Sequence, residues 1–185
     1  SWTPVFTPAT NANCLDLEFN WGANVAVVSC GTLNQPGRVY RSTDRGLTFN
    51  ATPVLAAANQ SRTEIAVSKS SPNVMYAAAA YYLEGGENNY RFRGLWHSND
   101  SGASWTLRAS DTDTNPFNIS LLGDFDSACD NDPRAQGWYD LEVAVDPANP
   151  NQVWIGGIDI FRSDDGGFNF GRAGVWYEDG STSYG

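Results

Sequence analysis

Apolar residues in this chain come in short runs broken by turn-forming residues, and the arrangement recurs three times. Leu15-Asp16-Leu17-Glu18-Phe19-Asn20 leads through Trp21-Gly22-Ala23-Asn24 into Val25-Ala26-Val27-Val28-Ser29. Thr63-Glu64-Ile65-Ala66-Val67-Ser68 leads through Ser70-Ser71-Pro72-Asn73 into Val74-Met75-Tyr76 and the run Ala77 to Tyr82. Asp140-Leu141-Glu142-Val143-Ala144-Val145 leads through Asp146-Pro147-Ala148-Asn149-Pro150-Asn151 into Val153-Trp154-Ile155-Gly156. Runs of this length, separated by Pro, Asn and Gly, predict paired strands. The alanines at 77–80 invite a helix, but Tyr81, Tyr82 and the Pro-Asn turn before them predict a strand buried on both faces. No amphipathic helical stretch of useful length is present.

A shorter pattern follows each strand pair. Ser42-Thr43-Asp44-Arg45-Gly46-Leu47-Thr48-Phe49, Ser98-Asn99-Asp100-Ser101-Gly102-Ala103-Ser104-Trp105 and Ser163-Asp164-Asp165-Gly166-Gly167-Phe168-Asn169-Phe170 all read Ser-x-Asp-x-Gly-x-polar-aromatic. The copies are 56 and 65 residues apart, an interval that marks repeated supersecondary units. Ser and Asp oxygens suit the amides of a tight reversal, Gly tolerates positive φ, and the aromatic closes onto the apolar layer. The motif therefore predicts a self-satisfied hairpin, with Phe49, Trp105 and Phe170 in the core.

These eight-residue motifs resemble the Asp-box, or BNR repeat, of sialidases, sortilin-type receptors, xyloglucan-degrading glycosidases and many exported bacterial proteins. The resemblance implies an all-β fold of β-propeller blades, each a four-stranded antiparallel sheet with the box between its third and fourth strands. The expected units span about 15–56, 63–109 and 139–173, within one domain over 1–185, with 110–138 an inserted acidic loop. Ser1-Trp2-Thr3 matches the close of an earlier box, as in Ser104-Trp105-Thr106, and three blades are too few to close a ring. Part of a larger propeller is the resulting expectation.

Charge narrows the partners. The net charge is −10 and Lys69 is the single lysine, a balance that excludes a basic nucleic-acid or anionic-membrane surface. No run is apolar and long enough to span a bilayer. With 41% hydrophobic and 13% aromatic residues, the chain reads as ordered. Cys14 and Cys30 fall near the ends of neighbouring strands, and both a disulfide and buried thiols are open readings for them. With Cys129 the count is odd, so at least one is unpaired within the chain.

Candidate chemistry is sparse. Glycoside hydrolysis needs two carboxylates across a scissile bond, and Asp16, Glu18, Glu64, Asp140, Glu142 and the cluster Asp124, Asp126, Asp130, Asp132 lie outside the boxes. Asp16 and Asp140 head similar strands, Leu15-Asp16-Leu17-Glu18 and Tyr139-Asp140-Leu141-Glu142, where a propeller channel would be lined. They are the catalytic candidates, with strand-entry residues repeated by the blade as the structural alternative. Neither the Arg-Ile-Pro signature of sialidases nor the Asp-Ile-Gly-Gly motif of the xyloglucan-degrading group is present. His97, just before the second box, has no Gly-x-Ser-x-Gly elbow beside it and is read as a strand residue. Asp111, Asp113, Asp124, Asp126, Asp130 and Asp132 alternate with other residues in a manner able to wrap Ca²⁺, but no EF-hand loop is complete, and a solvated loop is the competing reading. No other cofactor is expected. Trp138 and Tyr139, with Trp176 and Tyr177, are candidates for stacking on sugar rings.

These features point first to a secreted or cell-surface, non-catalytic module, bacterial in kind, that binds protein or carbohydrate. A glycoside hydrolase using channel-face carboxylates is the alternative. A structural subunit whose sheet edges pair with other chains or further blades is a third.

Overall fold

In a computed structural model of the chain, residues 2–8, 12–32, 35–81, 91–110, 121–122 and 136–174 are described. They form eleven strands and no helix: β1 (Cys14–Asn20), β2 (Val25–Cys30), β3 (Arg38–Ser42), β4 (Gln60–Val67), β5 (Met75–Tyr81), β6 (Phe92–Ser98), β7 (Thr106–Ser110), β8 (Glu142–Val145), β9 (Val153–Gly156), β10 (Ile160–Ser163) and β11 (Gly171–Gly174). They make three antiparallel meanders, in the orders β1-β2-β3, β4-β5-β6-β7 and β8-β9-β10-β11. The leading strands lie side by side, β1 against β4 and β4 against β8.

The first sheet departs from the expected four strands. Asn50 N donates to Arg41 O (2.9 Å) and Val54 N to Val39 O (2.8 Å), but only an isolated bridge joins Val39 and Leu55. Pro53 sits between these contacts. It has no amide to donate and restricts the residue before it, so a continuous ladder cannot run through this segment.

Packing explains the alanine run. Along β5, Met75, Ala77 and Ala79 face a core shared with Val25, Val27 and Val39 of the first sheet. Tyr76, Ala78 and Ala80 face the opposite core, with Leu95, Val143, Ile155 and Phe161. Side chains alternate across a strand, and small ones let two other sheets close on both faces of the same sheet. All of Met75 to Ala80 is fully buried. Phe170 is buried in the second of these cores, and Trp105 packs half-buried on the first. On the other face of the first sheet, Phe6 and half-buried Phe49 cover Val28 and Tyr40.

Each Ser-x-Asp-x-Gly hairpin closes on itself by the same hydrogen bonds. Ser42 Oγ donates to Asp44 Oδ1 (2.7 Å) and accepts from Gly46 N (2.8 Å); Asp44 accepts from Thr48 N (2.9 Å) and Thr48 Oγ1 (2.6 Å). Ser98, Asp100, Gly102 and Ser104 repeat the pattern, as do Ser163, Asp165, Gly167 and Asn169. The turn glycines Gly46, Gly102 and Gly167 have φ of 83°, 75° and 91°. The preceding residue ties the hairpin to the first turn of its own sheet: Arg45 N donates to Asn24 O, Ser101 N to Asn73 O and Gly166 N to Asn151 O. These bonds favour the charged carboxylates. Hydrogen bonds from Thr48 and Ser42 hold Asp44 at about 2. Partial burial opposes the effect at Asp165, but bonds from Asn169, Ser163 and Phe168 outweigh it and also bring that group to about 2.

Sequence-distant bonds join the first two sheets at the same end. Asn20 is buried, and its Nδ2 lies 3.0 Å from Pro72 O, 3.2 Å from Asn73 Oδ1 and 2.9 Å from Ser101 Oγ. Arg41 Nε donates to Ser101 O at 2.8 Å. A disulfide links Cys14 of β1 to Cys30 of β2, which are partners in the ladder; Cys129 lies outside the described residues.

Candidate functional site

Alternation along β4 puts Arg62 and Glu64 on one face of the strand. The Arg62 guanidinium is the hub of the acidic region. Its Nε donates to Glu64 Oε1 at 2.8 Å. Its Nη1 reaches Trp138 O at 3.0 Å and Tyr139 O at 2.7 Å, and its Nη2 reaches Leu141 O at 3.3 Å. One side chain of the second sheet thus grips the backbone that enters the third. Trp138 and Tyr139 are exposed, with ring centroids 5.4 Å apart in a tilted pair.

The carboxylates come from all three leading strands. Asp16 Oδ2 accepts from Ile65 N at 2.6 Å, a bond from β1 to the open edge of β4, and its Oδ1 accepts from Leu17 N at 2.8 Å. Burial pushes Asp16 above its usual value despite these amides and Arg62. Burial also raises Glu18, assisted by the charges of Asp16 and Glu142. Glu64 is pushed to about 7, chiefly by burial, against the Arg62 bond and with repulsion from Asp16 and Glu142. Asp140 is raised by burial, with Arg62 opposing.

Register corrects the expected equivalence. Asp16 pairs with Ser29, which pairs with Val39, three residues before Ser42. Glu64 pairs with Ala78, which pairs with Leu95, three before Ser98. Glu142 pairs with Gly156, which pairs with Ile160, three before Ser163. Asp16, Glu64 and Glu142 are therefore counterparts. Asp140 stands two residues ahead of Glu142 and level with Arg62, not with Asp16. The similar Asp-Leu-Glu strings mislead by two positions, and the β1 ladder has a register irregularity between Cys14 and Asp16 that no string comparison reveals.

The structure thus gathers Asp16, Asp140, Trp138 and Tyr139 around Arg62, whose importance no local motif signals. The candidates Asp111, Asp113, Asp124, Asp126, Asp130, Asp132, Trp176 and Tyr177 lie outside the described residues. Among the described residues no group of three or more His, Cys, Asp or Glu is placed to hold a metal ion, and no helix is long and apolar enough to cross a membrane. His97 is half-buried beside the Tyr76 ring, its Nδ1 3.1 Å from Arg108 Nη2. Burial and the Arg108 charge lower its pKa. Arg108 in turn lies over the Phe168 ring of the third hairpin, 4.2 Å from its centroid. His97 serves a joint between sheets.

Antiparallel meanders of three or four strands set face to face, with their leading strands adjacent, are blades of a β-propeller, and the chain matches part of larger propeller proteins. A GH74 enzyme of Niastella koreensis superposes with a TM-score of 0.60 at 18% identity, over 94% of this chain and 24% of that one. An ancestral GH74 enzyme gives 0.56 at 21% identity, over 89% and 19%. YCF48 bound to D1 peptide gives 0.53 at 16% identity, over 92% and 45%. The chain spans less than half the length of each of these three structures. No family model and no curated protein matches the sequence.

Proposed function

We propose that the chain is part of a secreted or cell-surface β-propeller module that binds a protein or carbohydrate partner without turning it over. The observation that carries this reading is the engagement of the carboxylates. Both Asp16 oxygens accept backbone amides, and Glu64 holds the arginine that clamps the next sheet. These two groups brace neighbouring sheets, which commits oxygens that a hydrolytic pair needs for a scissile bond. The exposed Trp138–Tyr139 pair beside them offers the stacking surface. The Cys14–Cys30 disulfide supports an oxidising, exported setting, and the three hairpins support kinship with Asp-box, sortilin-like propellers. On this reading the three sheets are blades of about 15–56, 63–109 and 139–173. One fold neighbour, YCF48, is described with a bound peptide.

A glycoside hydrolase is the second reading, favoured by one observation. Glu64 sits at about 7, the protonation range of a general acid, close to other carboxylates. Polysaccharides and peptides screened for saturable binding and for released reducing ends separate the two. Binding without turnover, weakened about tenfold or more by Trp138→Ala with the fold intact, supports the module. Turnover abolished by Asp16→Asn or Glu64→Gln in a folded protein overturns it in favour of the hydrolase.

A further inference from the structure

We infer that the Arg62–Glu64 pair is a pH-responsive latch that sets the orientation of the 138–141 segment and its exposed aromatic pair. The inference stands on the geometry of the joint. Arg62 belongs to β4, yet three of the four hydrogen bonds of its guanidinium go to carbonyls of residues 138, 139 and 141, between the second and third sheets. The fourth is the Glu64 carboxylate on its own strand, which fixes the direction in which the guanidinium points. A planar guanidinium holds several acceptors at once only while its plane is fixed, so Glu64 controls whether the three-carbonyl grip is aligned.

The groups that face Glu64 define when the brace releases. On its own strand there is Arg62. From β1 come Asp16 and, through Asp16, Glu18; from β8 comes Glu142; Asp140 also feels the Arg62 charge. From β5 the ladder partner is uncharged Ala78. One cation among five carboxylates leaves Glu64 under repulsion from its neighbours as well as burial, and both favour its neutral form. With its folded value raised to about 7, Glu64 is ionised above that pH and braces Arg62. Below it the carboxyl is protonated, the charge-assisted bond weakens, and the guanidinium plane is no longer fixed from its own strand. The 138–141 backbone then loses alignment with its donor. The latch does not depend on which partner the module binds, so it can fail while the binding reading stands.

The test is ¹⁹F NMR of the full chain labelled with 5-fluorotryptophan, titrated from pH 5 to 9. Trp138 is one of seven tryptophans, and its resonance is assigned by its loss in Trp138→Phe. The expected result is a Trp138 shift with a midpoint near 7, absent in Glu64→Gln and displaced in Glu64→Asp. His97 also titrates below neutrality, so His97→Gln is the control, and it leaves the Trp138 midpoint in place. A flat Trp138 resonance in the parent protein overturns the latch. So does a titration that persists in Glu64→Gln or disappears in His97→Gln. If Glu64→Gln does not fold, Glu64→Asp decides: an unmoved midpoint overturns the proposal.

Discussion

Asn20→Ala tests how the first two sheets are joined. The amide lies within bonding distance of three acceptors and its carbonyl accepts Ala23 N at 3.2 Å. Three acceptors share two N–H groups, so about three bonds are lost, each worth about 1 kcal/mol net. Some of that is recovered: residues 72 and 73 are exposed and rehydrate, and Ser101 Oγ keeps its bond to Asn73 Oδ1 at 2.8 Å. The expected cost is about 2 kcal/mol, or about 4–8 °C in Tm for a chain of this size. Urea denaturation followed by far-UV circular dichroism reads it as a lower midpoint at unchanged slope. Ser104→Ala is the matched control, since it removes one exposed bond to Asp100 and stays within about 0.5 kcal/mol of the parent. If the two variants unfold at the same urea concentration, the polar hub is idle. The joint is then held by the apolar core around Val27, Met75 and Trp96 and by the remaining bonds from Arg41 and Asp16.

Three further outcomes are expected. Replacing both Cys14 and Cys30 by Ser lowers stability by about 3 kcal/mol, from the loop of their 16-residue separation; superimposable urea curves refute this. Asp165 is depressed to about 2 from an ordinary 3.8, so its stabilisation is complete above the ordinary value and is lost as pH falls from about 4 to about 2. Asp165→Asn makes the acid limb of a Tm-versus-pH curve shallower, and an unchanged limb counts against the hairpin assignment. Gly167→Ala costs about 2 kcal/mol or more, because φ is 91° and the new methyl meets Leu95 Cδ2 at 2.5 Å; Gly171→Ala, in open space, stays within about 0.5 kcal/mol. Equal chemical melts for these two variants refute the packing argument.

The hairpins were legible in the sequence because every group they need lies within eight residues. Ser42, Asp44, Gly46 and Thr48 satisfy one another without help from elsewhere, and such local chemistry leaves a readable string. The both-faces burial of Ala77 to Ala80 was legible for a similar reason: Tyr81, Tyr82 and the preceding turn exclude the helix. What the string did not carry was anything set by register. The level of Asp16 with Glu64 and Glu142 depends on ladder pairing counted back from each hairpin, and two residues of error reassign the partner. Arg62 was invisible because its acceptors are backbone carbonyls of residues 138, 139 and 141, which no side-chain pattern advertises. In the first sheet, Pro53 was in plain view, yet its effect depends on where the neighbouring ladder falls.

The Asp16–Ile65 bond has a consequence for behaviour at high concentration. β4 leads its sheet, so one row of its amides has no strand beside it in the ladder, and such a row is a template for a foreign strand. The Asp16 carboxylate occupies the Ile65 amide in that row and places a charge where an incoming backbone would lie. The same side chain that fastens two sheets therefore also withholds one donor of that row from any other strand.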